Sequence, residues 1–113
     1  MDIPGFFLNY SRQAREIMEA VASPNLALQY DVYHMQVMEG DLARTVESNL
    51  AAIDHVQVAD NPGRHEPGTG EINYPYLFGA LDRMGYDGWV GCEYKPLTTT
   101  TEGLGWADAY LRG

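Results

Sequence analysis

The stretch Asp54-His55-Val56-Gln57-Val58-Ala59-Asp60 decides the fold. Polar and apolar side chains alternate along it, the period of a strand with one face buried. Upstream, Gly40-Asp41 breaks the chain, and Leu42, Val46, Leu50 and Ile53 then recur at helical spacing, so a helix capped by Asp41 leads into the strand. Downstream, a polar, Gly/Pro-rich loop over residues 61–73 ends where Asn73 and Pro75 suit a helix start. Tyr76, Leu77, Ala80, Leu81 and Met84 give that helix its apolar face, and Gly85 supplies a left-handed stop. A strand held between two helices is the repeating unit of a parallel α/β sheet.

The same alternation continues outward. Leu26-Ala27-Leu28-Gln29-Tyr30 follows the breaker Ser23-Pro24-Asn25 and reads as a buried strand ending at Asp31. Trp89-Val90-Gly91-Cys92-Glu93 reads as a third strand, which makes Cys92 a buried strand residue. Residues 10–21 carry Ala14, Ile17, Met18 and Val21 at helical spacing, with Asn9 or Ser11 as N-cap, and residues 102–111 predict a closing helix despite two glycines. The predicted order is helix, strand, helix, strand, helix, strand, helix. Strands separated by helices imply right-handed parallel crossovers, hence an α/β fold.

Composition narrows the function. The length of 113 residues is that of one small domain, and 45% hydrophobic with 20% charged residues is a globular balance. No apolar run approaches the roughly 18 residues of a membrane span, and Met1-Asp2-Ile3-Pro4 has no signal-peptide character. A single cysteine excludes an internal disulfide and, with the missing leader, predicts the cytoplasm. Seven basic against sixteen acidic side chains give a net charge of -9, which opposes a nucleic-acid partner.

In parallel α/β folds ligands bind where the strands end. Asp31, Gln57 with Asp60, and Glu93 with Lys95 stand at those ends. Asp31, Gln57 and Glu93 are spaced by 26 and 36 residues, one crossover each, and offer three hard oxygen donors suited to Mg2+ or Mn2+. Asp31 as a turn cap, Gln57 as a polar strand residue and Glu93 as a solvated strand end are the plain alternatives. His34, three residues past Asp31, can serve as ligand, acid/base or substrate donor, or be structural. Arg64 and Lys95 can clamp an anion or stay solvated. His65 and Glu66 suit capping or solvation, and His55 suits packing. Gly68-Thr69-Gly70 lacks the lysine of a phosphate-binding loop.

With these strand ends in view, the sequence resembles the hydroxypyruvate isomerase family of xylose-isomerase-like TIM barrels. The stretches that carry the resemblance are Asp2-Ile3-Pro4-Gly5-Phe6, Gln29-Tyr30-Asp31-Val32-Tyr33-His34-Met35-Gln36, His55-Val56-Gln57-Val58-Ala59-Asp60-Asn61-Pro62, Glu66-Pro67-Gly68-Thr69-Gly70-Glu71-Ile72-Asn73-Tyr74 and Gly88-Trp89-Val90-Gly91-Cys92-Glu93-Tyr94-Lys95-Pro96. It implies a metal-assisted interconversion of hydroxypyruvate and 2-hydroxy-3-oxopropanoate through an enediolate, within glyoxylate metabolism. By the same resemblance Asp31, Gln57 and Glu93 are metal ligands for Mg2+ or Mn2+, Glu93 is also one of two acid/base carboxylates, and His34 and Arg64 touch the substrate. Lys95 joins them on electrostatic grounds.

The family barrel needs about 250 residues, against 113 here. The expectation is therefore a partial (β/α)8 barrel, its carboxyl-terminal part over residues 1–113, with about three parallel strands alternating with four helices. It would lack the strand-end glutamate that supplies the first metal ligand and the other acid/base group. Such a chain is expected to be weak or inactive alone, and to self-associate or pair with an amino-terminal half, because its sheet edges and apolar surface are open. Other readings are a noncatalytic α/β binding or signalling domain of flavodoxin or receiver type, another sugar isomerase or epimerase of the superfamily, and an apurinic-site endonuclease. The last conflicts with three histidines and the acidic charge.

Overall fold

The protein is described by a computed structural model over residues 3–111, so Asp2, which opens the first matching stretch, lies outside the described residues. Three parallel strands form one sheet in the order β1 (Leu28–Asp31), β2 (Ile53–Val58), β3 (Trp89–Cys92). Among the described residues five α-helices accompany them: α1 (Ser11–Val21), α2 (Val32–Met38), α3 (Leu42–Asn49), α4 (Tyr74–Met84) and α5 (Asp108–Leu111).

Period-2 alternation sorts the sheet into two faces. Tyr30, Val56 and Val58 point one way and are almost fully buried, packed with Val32, Val46, Ile53, Ile72, Tyr74, Leu77 and Leu81. Burying a side chain of this size contributes about 1.5–3 kcal/mol, so this cluster fixes α3 and α4 on that face. The opposite face carries Gln29 and Asp31 on β1 and His55 and Gln57 on β2. Asp31 is in register with Gln57, and Gln57 with Gly91. A register shift between Leu28 and Gln29 sets this alignment. Gly91 matters there, because a Cβ on it would lie 2.6 Å from His55 Nε2. His55 is thus a packing residue, as its position predicts.

Several local expectations are corrected. β1 begins at Leu28 and not at Leu26, because the Pro24-Asn25 turn extends until Leu26 N–H donates to Ser23 O at 3.3 Å. The N-cap of α1 is Tyr10. Gln13 Oε1 accepts the backbone N–H groups of both Asn9 and Tyr10 at 2.9 Å, and Ser11 Oγ turns instead to the Glu39 carboxylate. Asp41 precedes α3 as predicted but makes no side-chain cap bond. The helix ends at Asn49, a 3-10 turn over Leu50–Ala52 follows, and Ile53 opens β2. α2 starts directly at the end of β1, with no breaker between them, and raises the helix count from four to five. The closing segment is a 3-10 helix over Glu102–Ala107 before α5, the weaker geometry that Gly103 and Gly105 allow. Cys92 is exposed, because β3 is an edge strand whose outer side carries no further strand among the described residues. α4 matches its signals: Asn73 Oδ1 accepts Tyr76 N–H at 3.2 Å, and Gly85 takes φ 79°.

Candidate active site at the carboxyl ends of the strands

Strand register brings Asp31 beside Gln57, and Glu93 lies two residues past Gly91, hence on the same face. Gln57 sits between the two carboxylates. Its Nε2 donates to Asp31 Oδ2 at 2.8 Å and to Glu93 Oε2 at 2.6 Å, while its Oε1 accepts from Gln29 Nε2 at 3.0 Å. Asp31 divides its oxygens between two tasks: Oδ1 accepts the His34 N–H at 3.0 Å and caps α2, and Oδ2 faces the site. The turn-capping alternative for Asp31 is thus met by one oxygen, and the other is engaged by Gln57.

Arg64 reaches this group from the loop after β2. Its Nη2 lies 2.5 Å from Glu93 Oε2 and 4.0 Å from Asp31 Oδ2, and its guanidinium stands 5.4 Å from the centre of the buried Tyr33 ring. The Arg64 side chain is 25% exposed and Asp31 16%, but Glu93 is 62% exposed. The outer pair is accordingly screened by water and contributes little to folding.

The loop that aims Arg64 is rigidly tied. After a cis Asn61–Pro62 bond, Arg64 adopts φ 60°, unusual for a side chain with a Cβ. Asp60 is fully buried. Its Oδ1 accepts the N–H groups of Asn61 and Ile72 at 2.8 and 3.0 Å, and its Oδ2 accepts Gly68 N–H at 2.7 Å. Glu66, 4% exposed, accepts Leu97 N–H with both oxygens. Lys95 N–H donates to Arg64 O at 2.7 Å, and Lys95 O lies 2.7 Å from His65 Nδ1. A carbonyl only accepts, so this His65 nitrogen carries the proton.

The candidates thus divide. Asp31, Gln57, Glu93 and Arg64 meet, and His34 joins through its backbone, its ring set edge-on to Tyr33 at 5.2 Å beside a cavity of about 280 Å³. The exposed Lys95 forms no ion pair among the described residues and meets the site through its backbone alone. Gln29 and Tyr33 are the neighbours of this group that the sequence reading missed, while Asp60, placed with Gln57 at the end of β2, spends both oxygens on the backbone of the loop. Gln29 was findable, lying two residues before Asp31 and so on its face. Nothing short of the fold marks Tyr33 as a platform for Arg64.

The donor set fits a hard divalent cation in chemistry. Turning the Gln57 amide end for end would place a third oxygen among those of Asp31 and Glu93, an arrangement in which only a cation relieves the repulsion. Among the described residues no group of three His, Cys, Asp or Glu side chains could hold a metal. The set here contains an amide and lies outside such a pattern.

A family model for the xylose isomerase-like TIM barrel matches residues 2–110. Hydroxypyruvate isomerase of Escherichia coli (strain K12) is 57% identical over 109 residues, covering 96% of this chain and 42% of the relative. The 2-oxo-tetronate isomerase of Cupriavidus necator is 50% identical over 110 residues, covering 97% of this chain and 42% of the relative. Among solved structures, one described as an AP endonuclease, family 2, from Brucella melitensis superposes with a TM-score of 0.92 at 49% identity, covering 96% of this chain and 42% of that one. The 3-keto-D-glucoside 4-epimerase of E. coli gives 0.74 at 30% identity, covering 79% and 34%. The chain spans well under half the length of the relatives it matches.

Proposed function

The chain belongs to the xylose isomerase-like TIM barrel family, and we propose that it supplies one flank of an isomerase site acting on a short 2-oxo-3-hydroxy acid, with hydroxypyruvate as substrate. The observation that carries this reading is the convergence of Asp31, Gln57 and Glu93 at the strand ends, with Arg64 against both carboxylates. Hydroxypyruvate and 2-oxo-tetronate, named in the two isomerase relatives, share a carboxylate, a carbonyl and an adjacent hydroxyl.

In this reading Asp31, Gln57 and Glu93 hold Mg2+ or Mn2+. Such an ion, when bound, draws electron density from the carbonyl and hydroxyl oxygens and acidifies the C–H bond between them. Glu93 takes the proton from C3 and a proton is returned to C2, with a partner carboxylate on the opposite face completing the transfer. The hydroxyl proton of C3 passes to the oxygen on C2, so C3 is oxidised, C2 is reduced, and no external oxidant is used. Arg64 grips the substrate carboxylate through its planar fork and His34 donates at its edge, while Lys95 serves through its backbone, whose N–H holds the Arg64 carbonyl. The exposed free thiol of Cys92 supports a reducing, cytoplasmic setting. No described helix is long and apolar enough to cross a membrane. Net charge -9 argues against extending the Brucella protein's endonuclease description to this chain.

The test is complementation. The 113-residue chain is mixed with the portion of the E. coli relative that it does not match, with Mn2+ present, and conversion of hydroxypyruvate in D2O is followed by proton NMR. Conversion with deuterium entering the product is expected, falling at least about 100-fold with Glu93→Gln, as for loss of a general acid/base. Undiminished conversion by E93Q overturns the assignment. The isolated chain is expected to be weak or inactive, and turnover matching a full-length relative overturns the one-flank reading.

A further inference from the structure

We infer that Arg64 is an internal counter-ion that holds the Asp31 and Glu93 carboxylates whenever no divalent cation does, and that Gln57 reverses its amide when the two exchange. The inference rests on the metal reading above and concerns this chain's own residues.

Two carboxylate oxygens converge within 2.6 and 2.8 Å of one amide nitrogen, and like charges so placed repel unless a positive charge or a hydrogen-bond donor sits with them. Here there is one of each. Arg64 Nη2 contacts Glu93 and lies 4.0 Å from Asp31, and the Gln57 NH2 bridges the pair. In this state Gln57 shows the carboxylates a donor, which cannot ligate a cation, while its oxygen is occupied by Gln29 Nε2. Gln29 is itself an amide and can accept as readily as donate, so both amides can turn together without losing their bond.

A cation arriving between the carboxylates repels the guanidinium. The Arg64 backbone stays fixed, because its carbonyl accepts from Lys95 and Asp60 ties the loop, so only the side chain leaves. The Tyr33 ring keeps it near, free for an anionic substrate. Cation and substrate affinities are then positively coupled, since the first releases the group that grips the second.

Mn2+ titration of the 113-residue chain, by water-proton relaxation and calorimetry, tests this. Arg64→Met is expected to tighten Mn2+ binding about fivefold, the equivalent of a modest ion pair. The equal charge change Arg44→Met, at a side chain 85% exposed beside Asp41, is expected to leave the affinity as it is. In the wild type, Mg2+ is expected to shift the Gln57 side-chain amide and Arg64 Nε–H resonances together. Unchanged or weaker Mn2+ binding by R64M, with the wild type still binding, overturns the counter-ion role and leaves the metal reading standing. No Mn2+ binding by either protein overturns both.

Discussion

Gln57 is the residue on which the site's chemistry turns, because an amide can face two carboxylates as a donor or join them as a third oxygen. Glutamate at this position has only the second option. Gln57→Glu therefore sets three carboxylates around the point where Gln57 Nε2 now satisfies two. Without divalent ions this variant is expected to melt several degrees below the wild type, consistent with a loss of about 1 kcal/mol. With saturating Mn2+ it is expected to gain more melting temperature than the wild type does, because the added charge favours the ion-bound state. Thermal melts in chelator and in Mn2+ check both signs, and a variant that responds to neither removes Gln57 from the donor set.

The loop between β2 and α4 shows how far sequence carries at the level of elements. Asp60 accepts three backbone N–H groups while fully buried. Asp60→Asn turns one acceptor into a donor facing them and is expected to cost about 2–3 kcal/mol, read by urea unfolding, where a loss under about 0.5 kcal/mol would deny the loop its lock. Tyr74 closes the same element from below, its Oη donating to Ala59 O at 2.6 Å. Burial first, and then the charge of Asp60, raise its pKa above the ordinary 10.0. The raised folded value means that its contribution is complete below about pH 10 and is lost as the pH climbs above it. Alkaline unfolding is thus expected to shift upward in Tyr74→Phe, even though that variant is less stable at pH 7 by the lost hydrogen bond; coincident alkaline midpoints would count against it. Elements with chemical punctuation were legible: Asn73, Pro75 and Gly85 bracket α4, and alternation marks β2. α2 was hidden because Val32 follows Asp31 with no breaker, and Asp31 is both strand end and helix cap. Asp60 read as a strand-end group beside Gln57 and Glu66 as a loop acid suited to capping or solvation, since only the folded loop reveals the backbone donors that surround them. Asp31, Gln57 and Glu93 were legible as three strand ends, but the contact of Arg64 with two of them depends on a left-handed backbone angle that composition does not encode.

For the whole molecule, the sheet has two outer edges, on β1 and β3, that carry no further strand among the described residues. Apolar side chains lie exposed beside them: Trp89 at the head of β3 is 82% exposed, Leu97 beyond it 60%, and Phe6, which lines a cavity with Leu28 and Tyr30 of β1, 53%. Unpaired parallel edges beside exposed aromatics are what association removes, while a net charge of -9 disfavours indiscriminate aggregation. The balance predicts a defined self-associated species in the isolated chain, seen by sedimentation velocity as a concentration-dependent boundary. The portion of the E. coli relative that this chain does not match should compete for the same edges and convert that species to a one-to-one pair. Trp89→Lys places a charge at the β3 edge, away from Asp31, Gln57 and Glu93, and is expected to weaken self-association at least about tenfold, the loss typical of a buried aromatic anchor. A compact monomer at every concentration would overturn the prediction. It would mean that the open edges of β1 and β3 are tolerated in water without a partner.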